Sequence, residues 1–234
     1  MHTAYTVRRD RYNAIYTLPQ PVVDLLQQVQ RTAGWETGIK SIRRGYEARS
    51  IDVYGYDVSR QLAVVQIRRV WKSRQYAEIN KIYALVGIDE EQVFSHPLPF
   101  SPRRNPHLYK MDPADVVRWA ESKIFGVPIE TLDKIIRQGD IALVPVRSVP
   151  KDAVPVQGST EEKVRTVCLR ESHLVQVDGV LSKDVRNNIW YAEGLVEIVH
   201  TKDEHKSISG EGRFKIVLGQ RAKDPWWINT AIGD

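Results

Sequence analysis

The sequence predicts an α+β fold, in which an N-terminal antiparallel sheet with two or three helices precedes a β-rich part that forms a small barrel or sandwich. Helical periodicity of apolar residues occurs only early in the chain, whereas β-branched runs occur throughout. Beyond residue 138 the sequence changes to short strands separated by prolines, glycines and charged turns. We therefore expect a basic α+β part at residues 1–138 and a β-rich part at residues 139–234.

The helices of the first part are predicted from the signals at their ends. A proline at the first position and a glycine just past the end predict a helix near residues 21–33. Similar signals predict a second helix that begins after Asp112-Pro113 and ends at Gly126. A third, short helix is predicted from Ile129 to Arg137.

The strands and loops follow from β-branched runs and from turn residues. Residues 51–54 and 62–67 predict an antiparallel hairpin with its turn at residues 57–60. Five prolines between Ser95 and Pro113 predict a crossing loop, in which His96 and His107 would be exposed to solvent. In the second part, Gly210-Glu211-Gly212 predicts only a turn.

Composition limits the classes of function. The 234 residues are 42% hydrophobic, which fits a globular core, and no apolar run approaches the roughly 20 residues that cross a bilayer. The N-terminus has no apolar signal core, and the single cysteine, Cys168, suits a small core residue in a reducing compartment. These features predict a soluble, cytoplasmic protein with no membrane partner. Phosphate-binding glycine loops, dinucleotide fingerprints and nucleophile elbows do not occur in the sequence, which disfavours an NTPase or a serine hydrolase.

The positive charge is concentrated in residues 40–81. This segment holds ten basic side chains and four acidic ones, a surplus of six in a chain whose net charge is +5. Guanidinium groups neutralise phosphates and aromatic faces stack on exposed bases, so RNA or single-stranded nucleic acid is the expected partner. The predicted contact residues are Arg43, Arg44, Arg49, Arg68, Arg69, Trp71, Lys72 and Arg74. The same residues also fit a twisted sheet with its aromatic side chains packed inward and its arginines solvated.

The histidines of the second part follow the apolar phase of their strands. Counting every second residue places His173 on a face with valines, together with Glu171. The same count places His200 with Val196 and Ile198. Burying such groups costs free energy unless they pair, bind a metal or line a wet cavity.

Three roles for these histidines remain open. They could form a structural cluster of hydrogen-bonded polar groups. Glu171, His173, His200 and His205 could instead hold a divalent metal, because imidazole and carboxylate form a suitable ligand set. Finally, His173 and His200 could act as a general acid and base pair that needs no cofactor, in cleavage of RNA through its own 2′-hydroxyl.

Part of the chain shows a pattern of motifs. Arg137-Gln138-Gly139-Asp140 precedes a β-branched run, Ser172-His173 follows, and His200 and His205 are separated by four residues before a final strand. With these motifs, residues 137–223 resemble a small β module of uncharacterised bacterial and phage proteins, which has an RQGD start, a histidine-containing strand and a histidine hairpin. Glu171 stands where that module has its first histidine, and the hairpin pair is spaced one residue wider. The resemblance implies no activity.

Two classes of function are therefore expected. The first is a nucleic-acid binding protein, with RNA as the expected ligand, that processes RNA with its histidine site or serves as a subunit of a ribonucleoprotein complex. The alternative is a cupin-like metal or small-molecule module, or a purely structural subunit. Trp226-Trp227 near the C-terminus predict docking onto the protein's own domain, or a contact with a protein partner if they are exposed.

Overall fold

The computed structural model of the protein describes residues 5–7, 17–32, 37–42, 45–89, 92–156, 164–170, 173–201 and 207–220. These residues form two compact units. Unit 1 comprises the described parts of Met1–Ile124 and Gln220–Asp234, and unit 2 those of Phe125–Gly219. The fold is mostly β, with two largely antiparallel sheets and few helices, which agrees at this level with the α+β expectation.

The described part of unit 1 contains a six-stranded sheet. Its elements are β1 (Tyr5–Val7), α1 (Gln20–Thr32), β2 (Gly38–Ile42), β3 (Gly45–Asp57), β4 (Leu62–Ser73), β5 (Ala77–Asp89), β6 (Gln92–Pro97) and α2 (Pro113–Phe125). The strand order is β1-β3-β4-β5-β6, and β2 also pairs with β3. The β1–β3 pairing is parallel and the other pairings are antiparallel.

The turn between β3 and β4 is held by its own side chains. The carboxylate of Asp57 accepts hydrogen bonds from the Ser59 hydroxyl (2.6 Å) and from the Arg60 amide (3.2 Å). Gln61 then takes a positive φ of 52° before the chain enters β4. The hairpin predicted from the two β-branched runs is therefore present.

Helix α1 covers one side of this sheet. Its apolar stripe packs against alternate sheet residues, namely Ile51, Val53, Ala63, Val65, Ile67, Ile82, Ala84, Val86 and Val93. Because side chains alternate along a strand, every strand position in phase with these residues faces the α1 side. The helix lies within one residue of its predicted bounds, since its punctuation is entirely local.

The second side of the sheet carries α2. Glu121 of α2 is buried and accepts two hydrogen bonds from the guanidinium of Arg60, at 2.8 and 2.5 Å. The helix approaches β3 at Gly55, where an added Cβ would lie 2.4 Å from the Cβ of Val116. Gly126 ends the helix at a φ of 62°, as its punctuation predicts.

The segment predicted as a crossing loop is partly regular. It contains the end of β6 and two 3-10 helices, Pro102–Arg104 and Pro106–Lys110. His96 pairs with Leu85 across β5 and β6 and is buried, and its Nε2 lies 2.8 Å from the carbonyl oxygen of Gln220. The prediction that His96 is exposed was wrong, because a count of prolines does not detect the pairing of β6. His107 is exposed, as predicted.

The described part of unit 2 contains a seven-stranded sheet. Its strands are β7 (Ile136–Gln138), β8 (Ile141–Pro145), β9 (Val154–Pro155), β10 (Val164–Leu169), β11 (His173–Asp184), β12 (Ile189–His200) and β13 (Ile208–Leu218). The order is β10-β11-β12-β13-β8-β7, and β9 also pairs with β11. The third helix predicted at Ile129 to Arg137 is instead a 3-10 helix, Ile129–Lys134, followed by β7.

Residues from opposite ends of the strand order share the core of unit 2. Leu169 of β10 is buried in this core, and Ile136 of β7 packs against it. The other buried members are Ile141, Leu143, Val175, Val177, Leu181, Ala192, Val196, Ile198, Phe214 and Ile216. After β10, Arg170 pairs with Asp140 and donates to the carbonyl oxygen of Gly219. The sheet is therefore strongly curled.

A row of three glycines crosses this sheet. Gly179, Gly194 and Gly212 occupy paired positions on β11, β12 and β13, with φ values of 145°, 128° and 145°. An added Cβ would lie 2.1 Å from the Glu193 carbonyl oxygen at Gly179, and 2.2 Å from the Asp178 carbonyl oxygen at Gly194. The prediction of a turn at residues 210–212 was wrong, because these glycines lie inside β13, where they permit the sheet to curl.

Cys168 lies on the outer face of β10 and is exposed. Its neighbours Val167 and Leu169 contribute to the core, and the period of two places the thiol on the other face. The prediction of a core cysteine was therefore wrong. In the part of the chain that the structure describes, neither α-helix is long and apolar enough to cross a membrane.

Candidate nucleic-acid interface and histidine pair

Three long strands extend past the part of the sheet that α1 covers. The core contacts of α1 reach Ile51, Ile67 and Ile82, and the residues beyond them are half-buried or exposed. We call this extension, residues 38–41, 45–50, 68–73 and 77–81, the outer sheet. It holds most of the basic residues that the sequence identified, and its two faces differ in charge.

The face on the α1 side contains acids between its bases. Glu47 accepts hydrogen bonds from Arg49 Nε (2.6 Å) and from Arg69 Nε (3.1 Å) and Nη2 (3.3 Å). Partial burial acts to raise the pKa of Glu47, but the hydrogen bonds and charges of the two guanidinium groups hold it below its usual value. Trp71 lies between Glu47 and Glu78 in the strand register. Phosphate would meet two carboxylates beside this tryptophan.

The other face, which we call the basic face, is built from three successive rows of paired residues. Ser50, Arg68 and Lys81 form the row nearest the core. Ile39, Ala48, Val70 and Ile79 form the second row, and Ser41, Tyr46, Lys72 and Ala77 form the third. Among the described residues of these rows there are three cations and no acid.

The first row places two cations opposite each other. Arg68 and Lys81 are register partners on β4 and β5, and Arg68 donates a hydrogen bond from Nε to the Ser50 hydroxyl at 3.3 Å. Like charges directly opposite each other across a strand pair destabilise a sheet. An anion that contacts both side chains would remove this repulsion.

The predicted contact residues are thus divided between the two faces. Arg68 and Lys72 lie on the basic face, while Arg49, Arg69 and Trp71 lie on the α1 side. Arg74 is exposed in the turn that follows β4. Arg43 and Arg44 lie outside the described residues. Trp71 packs against Tyr76 with ring centroids 5.7 Å apart, so its ring is partly engaged within the protein.

The residues that complete the basic face were not among the predicted contacts. Lys81 was missed because the sequence of β5 has no regular alternation of apolar and polar residues that would place Lys81 opposite Arg68 of β4. Tyr46 is 37% exposed and lies opposite Lys72. The apolar second row was missed because Ile39, Val70 and Ile79 come from three strands and meet only through the register.

His173 and His200 are brought together in unit 2. They are register partners on β11 and β12, their ring centroids are 4.9 Å apart, and their planes meet at 88°. Their relative exposures are 0% and 1%. The strand phase predicted for both residues is therefore correct, since each histidine lies on the face of its strand that carries Val175 or Ile198 of the apolar core.

The remaining members of the predicted metal set, Glu171 and His205, lie outside the described residues. Within the ranges that are described, no group of three histidine, cysteine, aspartate or glutamate residues is placed to hold a metal ion. The structure thus contributes two adjacent imidazoles to this hypothesis. Trp226 and Trp227 also lie outside the described residues.

Comparisons with protein-family models, curated proteins and solved structures gave no match. The resemblance of residues 137–223 to a bacterial and phage β module stays a prediction. Inferences about function therefore rest on the two groups of residues described above.

Proposed function

We propose that the protein binds nucleic acid through the basic face of the outer sheet. The observation that carries this proposal is the opposition of Arg68 and Lys81 on neighbouring strands, with Lys72 on the same face. Folding places these two like charges side by side, and their repulsion destabilises the folded protein. A bound anion would neutralise the repulsion and so would be bound favourably. A polyanion with regularly spaced charges would satisfy this row and Lys72 together.

The distance between the cations supports a chain of phosphates over a single anion. Arg68 and Lys72 are four residues apart on β4, which corresponds to about 13 Å at about 3.3 Å per residue. Side chains that stand upright from the sheet hold their charges about that far apart, which suits successive phosphates of one strand better than a single phosphate. Contacts of this kind carry no sequence information, so we expect binding with little sequence preference.

Fluorescence anisotropy with a labelled RNA oligonucleotide tests this proposal. The triple variant Arg68→Ala/Lys72→Ala/Lys81→Ala should lose most of the affinity. Three phosphate contacts in a single strand also predict a slope of about −2 for the logarithm of affinity against the logarithm of salt concentration, and the variant should flatten it.

The matched control removes the same charge from elsewhere in unit 1. Arg104, Lys110 and Lys123 are exposed and lie outside the outer sheet. The variant Arg104→Ala/Lys110→Ala/Lys123→Ala should retain the affinity and the salt slope of the wild type. Equal losses in both triple variants would show that net charge alone attracts RNA, and that the basic face has no special role.

We also infer that the sheet of unit 2 closes into a small barrel. The inference is supported by the shared core of β10 and β7, by the Arg170–Asp140 ion pair and by the glycine row. Closing a sheet requires its strands to tilt and its edges to meet with an offset. Hydrogen exchange of the β10 amides tests it. In a closed barrel the outer edge of β10 is covered by the opposite edge of the sheet, so its amides should exchange more slowly than those of an open edge strand.

A second candidate function places a divalent metal in unit 2. It is supported by the contact of His173 with His200, because two adjacent imidazoles are half of a first-row metal shell. Metal analysis of the purified protein should then find near-stoichiometric metal, which His200→Ala removes. Wild-type protein purified without bound metal, and unable to take up zinc or manganese, would eliminate this candidate.

A further inference from the structure

The row between the cations on the basic face is apolar and open. The row consists of one residue from each of β2, β3, β4 and β5, and each is the register partner of the next: Ile39, Ala48, Val70 and Ile79. The two ends of the row, Ile39 and Ile79, are 80% and 56% exposed. Between them, Ala48 and Val70 are half-buried. An apolar row with exposed ends and a polar rim is typical of a binding surface.

We propose that the basic face binds single-stranded nucleic acid in preference to duplex, with unstacked bases lying on this apolar row. The proposal rests on the proposed nucleic-acid function and specifies its ligand. Unpaired bases have faces that need a non-polar surface, while the backbone of the same strand needs cations beside that surface. The rows supply both, because cations lie on either side of the apolar residues.

The width of the face argues against a duplex ligand. Four strands with spacings of about 4.8 Å place the outer two about 14 Å apart, whereas the major groove of DNA is about 12 Å wide and admits a helix or a two-stranded ribbon. A face of this width could therefore meet a duplex only across the duplex backbones. That contact would place charged phosphates directly on the apolar side chains of Val70 and Ile79. The phosphates would lose their contact with water without gaining a hydrogen-bond or ion-pair partner, which costs free energy.

Tyr46 adds a stacking surface beside the apolar row. Its side chain is 37% exposed in the third row, directly opposite Lys72. A base stacked on this phenol ring would place its phosphate beside a lysine. An acidic peptide could satisfy the cations but would gain nothing specific from an aromatic ring next to a lysine, so we commit to nucleic acid as the occupant.

The test compares single and double strands on the same protein. Labelled oligouridylate and oligodeoxythymidylate of about 12 nucleotides, and a duplex of equal length, are titrated by anisotropy at one salt concentration. We expect the single strands to bind at least about tenfold more tightly than the duplex. The variant Ile39→Ser/Ile79→Ser should weaken single-strand binding about tenfold and leave the salt slope unchanged, because the slope counts phosphates.

The control removes two exposed apolar side chains elsewhere. Val58 and Val185 are 43% and 68% exposed. Val58 lies in the turn at the other end of the β3–β4 hairpin and Val185 belongs to unit 2, so neither is part of the outer sheet. Val58→Ser/Val185→Ser should therefore bind as the wild type does. Duplex binding as tight as single-strand binding, or full affinity in the isoleucine variant, would overturn the single-strand inference. If the Arg68, Lys72 and Lys81 variant still lost binding in that case, the proposed function would stand.

An acidic peptide serves as the remaining probe. Binding of a labelled poly-glutamate peptide without any binding of oligonucleotides would overturn both the single-strand inference and the proposed function, and would assign the face to an acidic protein partner. Binding of oligonucleotides with no measurable binding of the peptide is the expected result.

Discussion

Gly179 and Gly194 face each other across β11 and β12, and each takes a backbone conformation that side chains rarely adopt. A Cβ on either residue would also lie within 2.2 Å of a carbonyl oxygen on the opposite strand. We therefore expect Gly194→Ala to lower the free energy of unfolding by more than about 2 kcal/mol, because strain and steric overlap add. Urea unfolding followed by circular dichroism measures the loss.

Gly212 is the matched control for this prediction. It has a similar φ of 145°, but the nearest atom to an added Cβ is the Cζ of Phe214, at an ordinary 3.6 Å. Gly212→Ala should show only the backbone strain and lose less than Gly194→Ala. Equal losses at the two positions would mean that the close approach of the strands contributes nothing.

Because Arg68 and Lys81 lie opposite each other, we expect that removing one of these charges raises stability and lowers RNA affinity. Lys81→Thr removes the like-charge contact and introduces a good strand former, so we expect a gain of about 0.2–1 kcal/mol in unfolding free energy. The gain should shrink at high salt, which screens the repulsion. RNA affinity should fall in the same variant.

Lys72→Thr separates the two effects. Lys72 lies opposite Tyr46 and Ala77, so its removal relieves no like-charge pair. This variant should lose RNA affinity and gain only from the strand preference of threonine, so its stability gain should be smaller than that of Lys81→Thr and independent of salt. A stability gain as large as that of Lys81→Thr would contradict the role assigned to the Arg68–Lys81 pair.

The ion pairs of Glu47 should make the stability of the protein depend on pH in the acidic range. Its pKa is below its usual value in the folded protein, so its ion pairs stabilise the fold fully above the unfolded pKa of about 4.3, and this contribution is lost as pH falls through the folded value. Glu47→Gln would leave Arg49 and Arg69, which are register partners, facing each other. The variant should be less stable than wild type at pH about 7, and the difference should shrink as pH falls and vanish once Glu47 is protonated in the folded protein.

The comparison for Glu47 is Glu78→Gln on the same face. Glu78 is exposed and accepts a hydrogen bond from Asn80 instead of an arginine. Its replacement should change stability little at either pH. A difference between wild type and Glu47→Gln that persists at low pH would show that the glutamate acts through its shape rather than its charge.

The features that the sequence predicted well are those with local causes. Helix α1 begins and ends where proline and glycine signals stand, and α2 ends at Gly126 for the same reason. The phase of His173 and His200 followed from a period of two within one strand. Each of these depends on residues that are only a few positions apart.

The features that were missed depend on register between strands. Trp71 and Arg68 are three residues apart in sequence, yet they lie on opposite faces, and only the pairing with β3 and β5 shows that Trp71 has glutamates on both sides. Residues 210–212 have the local sequence of a turn, but Gly212 is the register partner of Gly194 on β12, which in turn pairs with Gly179 on β11. Sequence spacing alone cannot provide such partners.

The contact of His173 with His200 makes the final prediction. Both side chains are fully buried, so replacing either with alanine should lower the unfolding free energy by about 2–4 kcal/mol through lost packing and hydrogen bonds. Because the rings touch, the double variant should lose less than the sum, with a coupling of about 0.5 kcal/mol or more. RNA affinity should be unchanged, since the proposed interface lies in unit 1.

A matched cycle on the neighbouring pair provides the control for this coupling. Leu174 and Val199 are also register partners on β11 and β12, but they lie on the outer face and are only half-buried. Their alanine variants should be less costly and should couple more weakly. Additive losses at the two histidines would show that each imidazole is held by separate partners. A chelator distinguishes the metal candidate: it should destabilise wild type but not the double variant if the rings hold a metal, and neither protein if the contact is purely structural.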